Sequence, residues 1–140
     1  MIVTAKPRPT GHPGYSEVLP RVPESAEVAR RLVRIALAAW GQEELIEDAA
    51  LVITELVSNA VDHSRLSVIR VIVTRPSDTL IRVGVVDRTR AIPLMRMDSN
   101  GDNPRGRGLL LVNAFTHRWG TDLYPWGKQV WGELKCKDGS

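Results

Sequence analysis

The run ELVSNAVDHS, residues 55–64, sets Glu55, Asn59 and His63 at four-residue intervals inside an apolar pattern of helical period. Residues four apart lie on successive turns of one helix face, so these three polar side chains form a single ridge. Projected around Val52, the core-facing stripe of the helix holds Leu45, Ala49, Val52, Leu56 and Ala60. Asn59 and His63 fall on that stripe and Glu55 along its edge, while Glu47, Thr54 and Ser58 take the opposite, solvent-facing side. A polar group buried without a partner costs roughly 1–3 kcal/mol. A single such residue is commonly satisfied within a core; three in register point to a ridge that faces a ligand.

A chain of 140 residues with 43% hydrophobic content is one domain large enough for a true core. No apolar run approaches the roughly 20 residues that span a bilayer. The first residues, MIVTAKPRPTGHPGYS, lack the apolar stretch of a secretory signal. Cys136 is the sole cysteine, which excludes an intramolecular disulfide and a cysteine-rich metal site. The expectation is a cytoplasmic protein that does not engage the membrane.

Charge singles out no partner. There are 19 basic and 16 acidic residues, for a net charge of +3. Arg30, Arg31 and Arg34 form the densest basic group, but Glu24 and Glu27 lie just upstream, which reads as a solvated helix face. Aromatic residues are too few and too scattered for a base-stacking platform, so direct nucleic-acid binding is not expected.

Residues 1–14, rich in proline and glycine, read as a disordered tail, with one domain over 15–137. Tyr15 to Val22 reads as an edge strand ended by Pro20 and Pro23. Ser25 to Trp40 has helical spacing, with Gly41 placed to end it. A second helix is expected from about Glu43 to His63, its acidic first turn complementing the helix dipole. Two β-rich segments, 68–75 and 80–87, flank PSDT as a hairpin. Residues 88–105 lack periodicity and form a long loop, a length often reserved for function or disorder. An apolar helix from about Gly108 to Phe115 and a final hairpin around residues 125–128 complete the chain. The order β-α-α-β-β-loop-α-β-β gives an α+β fold: a two-layer sandwich with helices on one face of a mostly antiparallel sheet.

Two further places carry chemistry. Asp87 ends a strand whose preceding residues are apolar, so its carboxylate either caps the next loop or accepts a hydrogen bond from a ligand amine. Gly106-Arg107-Gly108-Leu109 closes the long loop. Glycines at a helix start let main-chain N–H groups approach an anion, which the helix N-terminus also favours.

Taken in order, a Glu-x₃-Asn-x₃-His helix, a strand ending in Asp and a loop ending in Gly-x-Gly-Leu resemble the GHKL (Bergerat-fold) ATPases. Within that superfamily the chain looks most like short actinobacterial relatives of the anti-sigma-factor serine-protein kinases. The resemblance covers roughly residues 17–135 and includes the closing GKQVWGEL segment. It implies ATP and Mg²⁺ as cofactors. Asn59 would coordinate Mg²⁺ through its side-chain oxygen, and Glu55 would be the general base toward a partner's serine or threonine. His63 would border the nucleotide, and Asp87 would accept from the adenine amine. Gly106, Arg107, Gly108 and Leu109 would wrap the phosphates, with Arg105 or Arg107 adding charge. The implied partners are a sigma factor, an anti-anti-sigma (STAS-domain) protein, or both. A monomer and a homodimer both remain open.

The chain departs from the family pattern after the aspartate. An Asp-x-Gly-x-Gly turn is expected, but the run is Asp87-Arg88-Thr89-Arg90-Ala91. Without those glycines the main chain cannot cheaply take positive φ beside the base, which lowers the expected nucleotide affinity. The final hairpin has Gly127-Lys128-Gln129 where relatives often place a threonine near the adenine. A second expectation therefore runs beside the kinase: a non-catalytic protein-binding module with a degenerate nucleotide site.

Overall fold

The computed structural model describes residues 4–5, 14–88 and 104–136, with the main chain alone for 4–5 and 104–108. In chain order the elements are β1 (Thr4–Ala5), β2 (Gly14–Pro20), α1 (Ser25–Ala39), a 3₁₀ turn (Glu43–Leu45), α2 (Ile46–His63), β3 (Val68–Ser77), β4 (Leu80–Asp87), α3 (Pro104–Phe115), β5 (Arg118–Tyr124) and β6 (Gly127–Lys135). Every strand pairing is antiparallel, in the order β1-β2-β3-β4-β6-β5. The helices pack on one face of this sheet, α1 over β2 and β3, α2 over β4 and β6, with α3 beside α2. The α+β sandwich read from the sequence is the fold observed.

Alternation along the strands decides which face is covered. Ile69, Val71 and Val73 of β3 and Ile81, Val83 and Val85 of β4 point toward the helices and are buried. They meet Leu32, Val33, Ala36 and Leu37 of α1 and Ala49, Val52, Ile53, Leu56 and Val57 of α2. The stripe expected on α2, Leu45 through Ala60, is buried throughout.

Local chemistry sets the element ends. Ser25 donates from Oγ to the Pro20 carbonyl at 2.6 Å, fixing the entry to α1. At its far end Gly41 sits at φ 70, a left-handed position. From there the N–H groups of Gly41 and Gln42 donate back to the carbonyls of Ala38 and Leu37, closing the helix in a Schellman motif. The Arg21 guanidinium donates to the carbonyls of Val61 at 2.8 Å and Leu66 at 2.6 Å. That latch holds the C-terminal turn of α2 against the end of β2.

On the sheet face away from the helices, Glu133 is 1% exposed and accepts from two arginines. Arg82 reaches its Oε2 at 2.6 Å and 2.9 Å, and Arg118 its Oε1 at 2.5 Å. Both guanidiniums also lie over the Trp131 ring, 4.3 Å and 5.3 Å from its centroid. Cation–π contact and ion pairing together seal the β4-β6-β5 end of the exposed face.

Two local expectations change. Thr4–Ala5, assigned to the tail, pairs with Ser16 and Tyr15 as a two-residue strand. The rest of residues 1–13 and residues 89–103 of the long loop lie outside the described residues. The third helix opens at Pro104, four residues before the expected Gly108. Proline suits a first helical position because its φ is already helical and its missing N–H would have no partner there. Leu109 and Val112 are buried, and that packing outweighs the low helix propensity of the two glycines.

Candidate functional site

The C-terminal half of α2 lies over the ends of β4 and β6, and a cleft opens between them. It is lined by Leu56, Asn59, Ala60 and His63 of α2, Val85 and Asp87 of β4, and Lys128 and Val130 of β6, and leaves a cavity of about 10 Å³. Three of the four residues expected on helix and strand, Asn59, His63 and Asp87, are thus brought to one place. Glu55 lies one turn before Asn59 on the same ridge, half-buried and outside the cleft lining. Burial pushes its carboxyl above the ordinary carboxylate range, which makes it a better proton acceptor near neutrality.

His63 corrects part of the helical projection. It was expected on the buried stripe, but it is exposed and forms the outer rim of the cleft. It is the last residue of α2, where the layer beneath the helix ends. Asn59, one turn further in, is half-buried.

Asp87 is 4% exposed and Lys128 2%, and the Lys128 Nζ lies 3.8 Å from Asp87 Oδ2. The register that pairs Asp87 with Lys128 across β4 and β6 makes them neighbours, and their parity turns both toward the helices. Gly127 permits the approach. A Cβ at that position would sit 2.2 Å from the Asp87 carbonyl oxygen and 2.6 Å from Arg88 Cα, a spacing no side chain tolerates. Burial lowers the affinity of the Lys128 amine for its proton, and the neighbouring Asp87 carboxylate restores part of it.

This pairing was not foreseen. The signal lay in strand parity. Val83 and Val85 share their face with Asp87, and Val130 shares its face with Lys128, so each strand carries a charge at a core position. Opposite charges at core parity at the adjoining ends of two strands are an ion-pair signature.

The α3 start reads differently from the expected loop end. Gly106, Arg107 and Gly108 lie inside the helix, and Leu109 is buried at 2% exposure. The N–H groups without helical partners belong to the first turn. With Pro104 lacking an N–H, those of Arg105 and Gly106 are available to an anion, whereas those of Gly108 and Leu109 belong to the helical ladder. The side chains of Arg105 and Arg107 lie outside the described residues.

A broader cleft, of about 370 Å³, opens where the ends of β2, β3 and β4 meet. Val18, Val68, Arg70, Val86 and the exposed Trp126 line it. By strand parity these valines and Arg70 belong to the helix-free face, and neither Asn59 nor His63 reaches it. Asp87 lines both clefts, while Asn59 and His63 line only the smaller one.

Among the described residues no three of His, Cys, Asp and Glu converge on a metal position. A single amide oxygen such as that of Asn59 still suits Mg²⁺, which keeps several waters and takes substrate phosphates as ligands. No helix among the described residues is long and apolar enough to cross a membrane.

Comparison with known proteins places these elements. Residues 19–131 match the family model of the histidine kinase-like ATPase domain. A search of curated proteins finds no match. Among solved structures, the fold is similar to the RsbU and RsbW domains of Rv1364c from Mycobacterium tuberculosis, at a TM-score of 0.66 and 22% identity. That match covers 89% of this chain and 32% of the other, so the chain spans about a third of that protein's length. From β2 through β6 the matched span takes in the α2 ridge, the end of β4 and the start of α3, and the chain belongs to the histidine kinase-like ATPase domain family.

Proposed function

We propose that this domain binds ATP with Mg²⁺ in the cleft between α2 and the ends of β4 and β6. We further propose that it transfers the γ-phosphoryl group to a serine or threonine of an anti-anti-sigma (STAS-domain) partner, acting as a cytoplasmic anti-sigma-factor kinase. A sigma factor is the second partner in this reading. The observation that carries it is the convergence of Asn59, His63 and Asp87 on one cleft, with Glu55 one turn behind Asn59.

The residues divide the work as follows. Asn59 would hold Mg²⁺ through its amide oxygen, and Arg105 and Gly106 would offer main-chain N–H groups to the phosphates from the start of α3. Mg²⁺, when bound, would neutralise charge on the phosphate oxygens. Glu55 takes the proton of the partner's hydroxyl as that oxygen bonds to the γ-phosphorus and the bond from phosphorus to the bridging oxygen breaks, leaving ADP. Phosphoryl transfer depends chiefly on positioning and electrostatics, so one base and a held phosphate suffice. Arg105 and Arg107 would add positive charge, His63 would border the nucleotide, and Asp87 would face the base.

Radiolabelled transfer from ATP to STAS-domain proteins of the same cell tests this reading. Transfer by the unmodified chain that is lost in Glu55→Ala supports it; tight partner binding without transfer refutes the kinase. A second reading, a non-catalytic module on the same fold, is favoured by the Lys128–Asp87 pair and by the absent glycines after Asp87.

A further inference from the structure

The buried end of the cleft is closed by the chain itself. Asp87 would face the base in the nucleotide reading, yet its carboxylate lies 3.8 Å from the Lys128 ammonium, and both side chains are no more than 3% exposed. The Lys128 side chain lines the same small cleft as Asn59 and His63. The space left, about 10 Å³, falls far below the roughly 300–1,000 Å³ of small-molecule sites. A carboxylate that faces an ammonium directs its acceptor capacity to a full positive charge. The neutral amine of a base is a weaker donor and competes poorly with it.

We propose that Lys128 is the specificity-determining residue of this cleft: its ammonium occupies the base-reading side of Asp87, so the chain as folded holds a nucleotide through its phosphates without reading the exocyclic amine. The inference rests on the nucleotide reading of the cleft. It assigns to one residue the difference between a site that recognises adenine and one that tolerates any purine. Gly127 is part of the device, because only a residue without Cβ lets β6 come close enough to the end of β4 to deliver the lysine. Burial weakens the Lys128 charge, yet Asp87 sustains it, in keeping with a pair that persists until something larger fills the cleft.

The test compares ATP with purine riboside triphosphate, which differs by the missing 6-amino group, by titration calorimetry with Mg²⁺ on the unmodified chain and on Lys128→Met. The unmodified chain should bind the two within about twofold of each other. Lys128→Met should bind ATP about tenfold more tightly than the analogue, the value of one well-made hydrogen bond to a charged group. ATP binding by Lys128→Met alone, with none by the parent, overturns it, since the unmodified chain would then hold no nucleotide through its phosphates. A tenfold preference for ATP already present in the unmodified chain overturns it and leaves the nucleotide reading intact. So does equal binding of the two nucleotides by Lys128→Met. Tenfold tighter binding of GTP than ATP by the unmodified chain overturns it as well, since Lys128 would then be donating to a base oxygen. No binding of any nucleotide by either folded protein overturns the nucleotide reading itself. If Lys128→Met does not fold, the ratio in the unmodified chain decides alone.

Discussion

The Lys128 ammonium lies 3.8 Å from the Asp87 carboxylate, with both side chains withdrawn from water between the end of β4 and the start of β6. A buried pair of this kind adds little net stability, but removing one member of such a pair typically costs about 3–5 kcal/mol. Asp87→Ala should therefore lower the unfolding free energy by about 3 kcal/mol. The double variant Asp87→Ala/Lys128→Met should be at least 1 kcal/mol more stable than the sum of the single changes allows, roughly the coupling of contacting residues. Urea unfolding of the four proteins reads this directly, and simple additivity would show that the two groups do not hold each other.

Asn59 is half-buried and carries no core packing comparable to that of Leu56 or Val57. Asn59→Ala should therefore leave the melting temperature within a few degrees of the parent, as surface-type changes do, while abolishing the Mg²⁺ dependence of ATP binding. Calorimetry with and without Mg²⁺ makes the comparison. Retained Mg²⁺ dependence would remove Asn59 from the metal.

Glu55 must be deprotonated to act as a base, and burial raises its carboxyl above the ordinary range. The transfer rate should fall as the pH drops through a midpoint higher than that of a free glutamate. Glu55→Gln should lower the rate by about 10²–10⁴-fold with ATP binding unchanged. Single-turnover transfer across pH tests both points, and a pH profile identical in parent and variant would show that the base is elsewhere.

Glu133 governs stability at acid pH. Burial raises its proton affinity, but the hydrogen bonds from Arg118 and Arg82 outweigh burial and hold its carboxyl below the ordinary value of 4.5. A depressed folded-state pKa means stability that is fully present above the unfolded value and is lost as pH falls through the folded one. Glu133→Gln should thus be less stable than the parent at neutral pH by about 2 kcal/mol, the scale of hydrogen bonds to charged groups. Arg118 is largely exposed and can rehydrate, which keeps the loss below that of a stranded buried charge. The difference should shrink below pH 4, roughly where carboxylates protonate. Thermal unfolding as a function of pH reports it, and a pH-independent difference would rule out the linkage.

What the sequence made legible was what depends on local period. The helices 25–40 and 43–63, the paired strands 68–75 and 80–87 and the final hairpin follow from spacing and turn chemistry, and each is present within a few residues. What depends on the end of a packed layer was not legible: His63 lies on the core stripe of an endless helix but beyond the layer beneath the real one. The start of α3 was hidden because Gly106 and Gly108 argue against a helix interior, and only the burial of Leu109 and Val112 overrides them. The Asp87–Lys128 contact requires the register of β4 on β6. That register is a long-range property, although the charges at core parity pointed toward it.

The central claim is that the cleft of Asn59, His63 and Asp87 is a nucleotide site, and titration calorimetry of the full chain with ATP and Mg²⁺ tests it most directly. The account predicts saturable, Mg²⁺-dependent binding at millimolar ATP, tightened by Lys128→Met and lost in Asn59→Ala. No heat beyond dilution at millimolar ATP, in the unmodified chain and in Lys128→Met alike, would contradict it.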